Sequence, residues 1–191
     1  MNRIETKQEN YRRLIDAAYR TFTTGGYAHT SIRDVAKQAD MTPGLVSYYF
    51  KTKDELLFAV HRDVQQQYHT LYEQSETLHG SIDDSIQELQ SRVLDDPNWY
   101  RWRFELFRLG LQRPDMQQMV AELLDEGRSS IAHQLEPFFG NPTDTVQLAS
   151  LLLACFDGIA LQKLIDSTFE HEEVYQALGS IIKLYITERN R

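Results

Sequence analysis

Cysteine is nearly absent: Cys155 stands alone in 191 residues, which excludes an internal disulfide framework or a zinc site built on several thiolates and suits a reducing compartment. Glycine and proline are scarce as well, at nine and five, roughly 7% of the chain against about 12% in average proteins. So few turn formers argue against a sandwich or barrel of many short strands and leave helices as the expected element. Long apolar runs are missing too. The longest, Leu151 to Phe156, falls far short of the about 18 residues of an unbroken membrane span, and the opening MNRIETKQENYRRL has no apolar core of a secretory leader. A soluble, cytoplasmic protein is expected. The usual marks of catalysis are also wanting. The six histidines, at 29, 61, 69, 79, 133 and 171, form no HExxH pair, and neither a glycine-rich phosphate loop nor a GxSxG elbow occurs. No enzyme activity, no cofactor and no metal are expected.

What is present is an ordinary globular composition, 41% apolar and 25% charged, with enough length for one large domain or two small ones. The net charge of −8 argues against a nucleic-acid partner, because a polyanion is bound chiefly by Lys and Arg that displace its counterions. That average hides an asymmetry. Residues 1–53 carry nine Lys and Arg against five Asp and Glu, a net +4, whereas residues 54–191 carry eleven against twenty-three, a net −12. A basic head on an acidic body suits a DNA-binding module, residues 1–53, joined to a different kind of domain, residues 54–191. A merely solvated head surface is the alternative.

Apolar periodicity divides the head into helices. Tyr11, Leu14, Ile15, Ala18 and Phe22 recur at helical spacing until Gly25-Gly26, so a first helix is expected over about residues 6–24. Ser31 and Asp34 have the spacing of a capping box before Ile32, Val35, Ala36 and Ala39. Thr42 can cap a third helix, about 43–49, with Pro43 in its first turn. Thr52 and Glu55 open a long fourth helix, 53–78, whose buried side would carry Leu56, Leu57, Val60, Val64, Tyr68, Leu71 and Tyr72. Breaks at Gly80, Asp95-Asp96-Pro97, Pro114, Gly140-Asn141-Pro142 and Ser167-Thr168 divide the remainder into about five more. The fold class is therefore all-α, with about nine helices.

The second and third helices, joined across Ala39-Asp40-Met41-Thr42, have the dimensions of a helix-turn-helix. Ala36 is small where the two must cross, Val46 can plug the gap between them, and Asp40 falls where the turn needs a left-handed residue. If Val46, Tyr49 and Phe50 face inward, Gly44, Leu45, Ser47 and Tyr48 face outward and can enter a major groove. Gly44 would allow close approach, Leu45 touch a thymine methyl, Ser47 meet a base edge or phosphate, and Tyr48 reach a phosphate. Arg33 can pair with a guanine or grip the backbone. Ser31, Thr42, Pro43, Lys51 and Lys53 lie at or beside helix N-termini that attract phosphate, and Tyr49 completes the set of candidate DNA contacts. A plain reading, with the aromatics as core and the lysines as solvated surface, stands beside this one.

At these residues the chain resembles the TetR family of bacterial regulators. The stretch GGYAHTSIRDVAKQADMTPGLVSYYFKTKDELL looks like that family's head, and the likeness covers roughly residues 8–62. Phe50, Lys51, Lys53 and Leu56 match the family's recurrent spacing after the recognition helix. Asp40 replaces the customary turn glycine, and Ser47 stands where many members have a phosphate-contacting tyrosine. GLVSYYF looks closer to the choline-responsive BetI branch than to the tetracycline-responsive one.

The resemblance implies a homodimeric, ligand-responsive repressor of a palindromic operator, with a helical body whose last two long helices pair with those of the partner. A bound small-molecule effector of unknown identity would act through the fourth helix to hold the recognition helices at the wrong spacing. The residues agree: LASLLLACFDGIALQKLI is apolar nearly all round, and Val174, Leu178, Ile181, Ile182, Tyr185 and Ile186 form a stripe. Leu151, Leu152, Ile159, Leu178, Ile182 and Tyr185 are the expected dimer contacts. Trp99, Tyr100, Trp102, Phe104 and Phe107 crowd nine residues. Trp99, Trp102, Phe104 and Phe107, with Phe156, are the candidate ligand pocket, although most aromatic stripes are plain core. An aromatic cage suits a cation, while Arg101, Arg103 and Arg108 suit an anion. Cys155 and His133 are read as packing residues. The rival function is an all-helical interaction protein without DNA specificity, which steep salt dependence of DNA binding would exclude.

Overall fold

A computed structural model describes residues 3–74, 81–139 and 142–189. Nine α-helices and no strand occur among the described residues. The chain divides into two compact units, Met1–Gln74 and Ser75–Arg191.

The first unit contains α1 (Arg3–Gly25), α2 (Ile32–Gln38), α3 (Pro43–Tyr49) and α4 (Lys53–Gln74). Gly26, with φ 74°, turns the chain out of α1 in a conformation open chiefly to glycine. A single 3₁₀ turn, Tyr27–His29, follows; apolar spacing does not announce so short a piece. Leu14, Ile15, Ala18 and Phe22 of α1 close on Val35 and Ala36, on Val46 of α3 and on Leu56, Leu57 and Val60 of α4, all buried. Tyr11 sits at the edge of this core, its ring 5.7 Å from that of Phe50. Charge changes sign after residue 53, but α4 packs on α1, so the compact head runs on to Gln74. The side chains of Tyr68, Leu71 and Tyr72, residues 75–78 of the expected fourth helix, the break at Gly80, and Gly140-Asn141 lie outside the described residues.

The second unit contains α5 (Ile82–Asp95), α6 (Pro97–Gln112), α7 (Pro114–Leu135), α8 (Pro142–Ile165) and α9 (His171–Arg189). Local chemistry sets the junctions: Asp96 Oδ1 accepts the Trp99 amide at 3.2 Å, and Pro97 and Pro114 occupy first turns, where a missing N–H costs nothing. A second 3₁₀ turn, Glu136–Phe138, ends α7. α6 and α7 approach closely at Gly110, where a Cβ would lie 2.8 Å from Val120. Ile86, Leu148, Leu152, Phe156, Ile159, Tyr175, Leu178 and Ile182 form one core across α5, α8 and α9. By length and composition Thr145–Ile165 passes as a membrane span, which the short unbroken run did not suggest. Its inner face belongs to this core.

Candidate nucleic-acid interface and effector core

The turn between α2 and α3 has the conformation its sequence asks for. Asp40 is left-handed, φ 54°; its amide donates to the Lys37 carbonyl at 3.2 Å and that of Met41 to Ala36 at 2.9 Å. These two bonds close a Schellman motif at the end of α2. The capping box is complete at the start of α2: Ser31 Oγ accepts the Asp34 amide at 3.3 Å, and Asp34 Oδ2 accepts the Ser31 amide at 2.7 Å. The Ser31 hydroxyl, and after it the Ser31 amide, donate to the Asp34 carboxyl and hold it below the usual carboxylate range. Thr42 Oγ1 accepts the Leu45 amide at 3.2 Å and so caps α3.

Val46 and Phe50 anchor α3 from inside. On the opposite face Gly44 and Ser47 are exposed, Leu45 is half-buried, and Tyr48 is 64% exposed. A Cβ at Gly44 would meet nothing within 4 Å, so the backbone there is bare. Thr42, Pro43, Arg33 and Lys51 are exposed on the same unit.

Three expected contacts are committed elsewhere. Tyr49 is half-buried and its hydroxyl donates to the Lys7 carbonyl at 3.2 Å. Lys53 turns its ammonium onto the Tyr27 carbonyl, 3.9 Å from that ring's centroid, while the Tyr27 hydroxyl donates to Asp54. Burial lowers the Lys53 pKa, against the pull of Asp54 and Asp34. The Ser31 hydroxyl donates to Asp34 at 2.7 Å. Each of these polar groups satisfies a neighbouring part of the fold, a demand that helical spacing leaves invisible.

In the second unit Trp99, Trp102 and Phe156 are buried and Phe104 and Phe107 half-buried. Phe104 lies 6.2 Å from Phe107 and 6.3 Å from Tyr100. Phe156 stacks on Tyr175 at 6.4 Å in the core of α8 and α9. The arginines divide likewise. Arg101 and Arg108 are exposed, Arg108 paired with Glu105 at 2.7 Å. Arg103 is buried and clasps Asp157 of α8 through two bonds, 2.7 and 3.1 Å, with its guanidinium 4.8 Å from the Phe107 ring.

Both units match known proteins. Residues 14–60 match the model for bacterial regulatory proteins of the tetR family, and residues 79–184 match the tetracyclin repressor-like C-terminal domain. The chain belongs to the TetR family. Over its whole length this regulator is 23% identical to an uncharacterized HTH-type transcriptional regulator of Mycobacterium bovis, covering 86% of it. It is 33% identical to the HTH-type transcriptional regulator TtgR of Pseudomonas putida across 82% of this chain and 65% of that one. Among solved structures it resembles the multidrug binding protein EbrR complexed with imidazole, TM-score 0.67 at 27% identity, over 89% of this chain and 88% of the other. EbrR has also been solved with proflavin and with ethidium. These relatives are transcriptional regulators and binding proteins, not enzymes.

The expected dimer contacts of this TetR-family chain fall on two different faces. Leu152, Ile159, Leu178 and Ile182 lie in the core of one subunit and Tyr185 packs against it, 6.2 Å from Phe139. Of the six, Leu151 faces out, 58% exposed. It starts an outer stripe of Leu151, Ala154, Gly158, Leu161 and Ile165 on α8, and Ile181 and Leu184 on α9 are exposed as well. The apolar positions were readable; which face the subunit keeps for itself was not. His133, expected in packing, is exposed beside Glu136, 3.2 Å away; Cys155 is half-buried against the core. Sequence reasoning missed Arg13, whose guanidinium reaches the Ala39 carbonyl at 2.9 Å, and the Arg103–Asp157 pair. No local pattern marks partners 26 and 54 residues apart.

Proposed function

We propose that this regulator is a homodimeric repressor that leaves a palindromic operator when a small organic effector occupies its body. The observation that carries the reading is the outer face of α3, where Gly44, Ser47 and Tyr48 are exposed on a helix pinned from behind by Val46 and Phe50. In this reading Gly44 admits the backbone, Leu45 meets a thymine methyl, Ser47 a base edge or phosphate, and Tyr48 a phosphate. Arg33, Thr42, Pro43 and Lys51 grip the backbone beside it. The outer stripe on α8, with Ile181 and Leu184 of α9, supplies the two-fold contact that paired half-sites, roughly 34 to 36 Å apart, require. Effector binding is placed among Trp99, Trp102, Phe104 and Phe107 of α6. Likeness to EbrR, a multidrug binding protein solved with imidazole, proflavin and ethidium, supports an organic, aromatic ligand.

The test is a mobility shift of the purified protein on the DNA flanking its own gene, across a salt series with non-specific competitor. Expected is specific retardation by one or two dimers, lost steeply as salt rises and at least about a thousandfold tighter than non-specific binding. A genome-wide selection of bound fragments that enriches no site overturns the reading. Trp99 and Trp102 are the chain's two tryptophans, so quenching of their fluorescence on titration with proflavin tests the effector placement.

A further inference from the structure

We infer that Arg13, exposed on α1, is a positioning residue for DNA recognition, acting on the turn of the helix-turn-helix and not on the DNA. This rests on the DNA-binding reading above but concerns a residue outside the contact face. The last four carbonyls of a helix have no partner within it. At the end of α2 the Schellman bonds from Asp40 and Met41 take the carbonyls of Lys37 and Ala36. The Ala39 carbonyl lies outside that pair, and Arg13 Nη2 donates to it at 2.9 Å from α1. A cation there also opposes the negative end of the α2 dipole.

The position of this bond gives it its consequence. Ala39 immediately precedes Asp40, whose left-handed φ of 54° Asp tolerates better than most residues but at a higher cost than glycine. The peptide that Arg13 grips is therefore the one joining α2 to the strained residue, three positions before α3 starts at Pro43. The far end of α3 has its own tie to α1, from the Tyr49 hydroxyl to the Lys7 carbonyl at 3.2 Å. α1 thus ties both the turn that leads into the recognition helix and that helix's last residue, and the aim of α3 depends on α1. Where glycine would relax the turn, Arg13 holds it in place.

Arg13→Ala, Asp40→Gly and the double variant distinguish this from a phosphate contact, using as probe a duplex that wild-type protein selects from a random-sequence pool. Arg13→Ala is expected to weaken binding about tenfold, the size of one hydrogen bond to a charged group, with the slope of log K against log salt unchanged. In the Asp40→Gly background the same change is expected to cost less than about threefold, because the strain it restrains is gone. Amide exchange at Met41, measured without DNA, should quicken in Arg13→Ala and not in the double variant. A salt slope shallower by about one, an undiminished loss in the Asp40→Gly background, or unaltered Met41 exchange each overturns the inference. If wild-type protein selects no duplex, the DNA-binding reading fails, and Met41 exchange still decides what Arg13 holds.

Discussion

A guanidinium buried against a carboxylate is costly to break from one side. The side chains of Arg103 and Asp157 are only 7% and 17% exposed, so removing one leaves the other charged in a poorly solvated place. Arg103→Met is expected to lower stability by about 3–5 kcal/mol, and Arg103→Met with Asp157→Leu to recover most of it, both read from urea unfolding. His171 makes a second residue-scale prediction. Its ring is buried beside Tyr175 at the start of α9, and burial lowers its pKa, with Lys163 adding and Glu172 opposing. The unfolded chain therefore binds this proton more readily than the fold. Stability from this group is complete above the unfolded pKa of about 6.5 and lost as pH falls below it. Unfolding at about pH 7.5 and about pH 5.5 should differ less in His171→Gln than in wild type.

Among the elements, α3 is the one whose surface and anchorage are most clearly separated. Thr42→Ala removes its cap and is expected to cost about 1 kcal/mol, seen as a lower melting temperature. Arg33→Ala and Tyr48→Phe, on exposed positions, should weaken operator binding while leaving melting temperature and dimer unchanged. A dimer dissociated by either change would contradict the separation of roles between the units. The caps at Ser31, Thr42 and Thr52 were legible because each acts on an amide three residues ahead, a distance helical spacing itself sets. The bonds that Lys53 and Tyr49 make within the head were not legible, because their partners, Tyr27 and Lys7, are 26 and 42 residues away. Such a lysine or tyrosine has the same sequence signature whether it faces DNA or a carbonyl of its own domain.

At the scale of the molecule, α8 and α9 carry apolar residues on more faces than one subunit covers. Leu151→Glu, or Ile181→Glu with Leu184→Glu, is expected to yield folded monomers in sedimentation velocity, because Leu151, Ile181 and Leu184 are 58%, 60% and 67% exposed. Leu152→Glu should instead unfold the second unit, since Leu152 belongs to its core. That neighbouring leucines on one helix have opposite fates marks the boundary between what the two levels of description hold. Periodicity, caps and breakers are local, acting over three or four residues, and so the sequence by itself determined the helices, the left-handed Asp40 and the outward face of α3. Which apolar face is kept within the subunit, which arginine is buried, and where Lys53, Tyr49 and Arg13 find their partners depend on surfaces brought together from distant parts of the chain. Only the tertiary structure decided those, because burial and hydrogen bonding are satisfied in space, by whichever group the packing brings within reach.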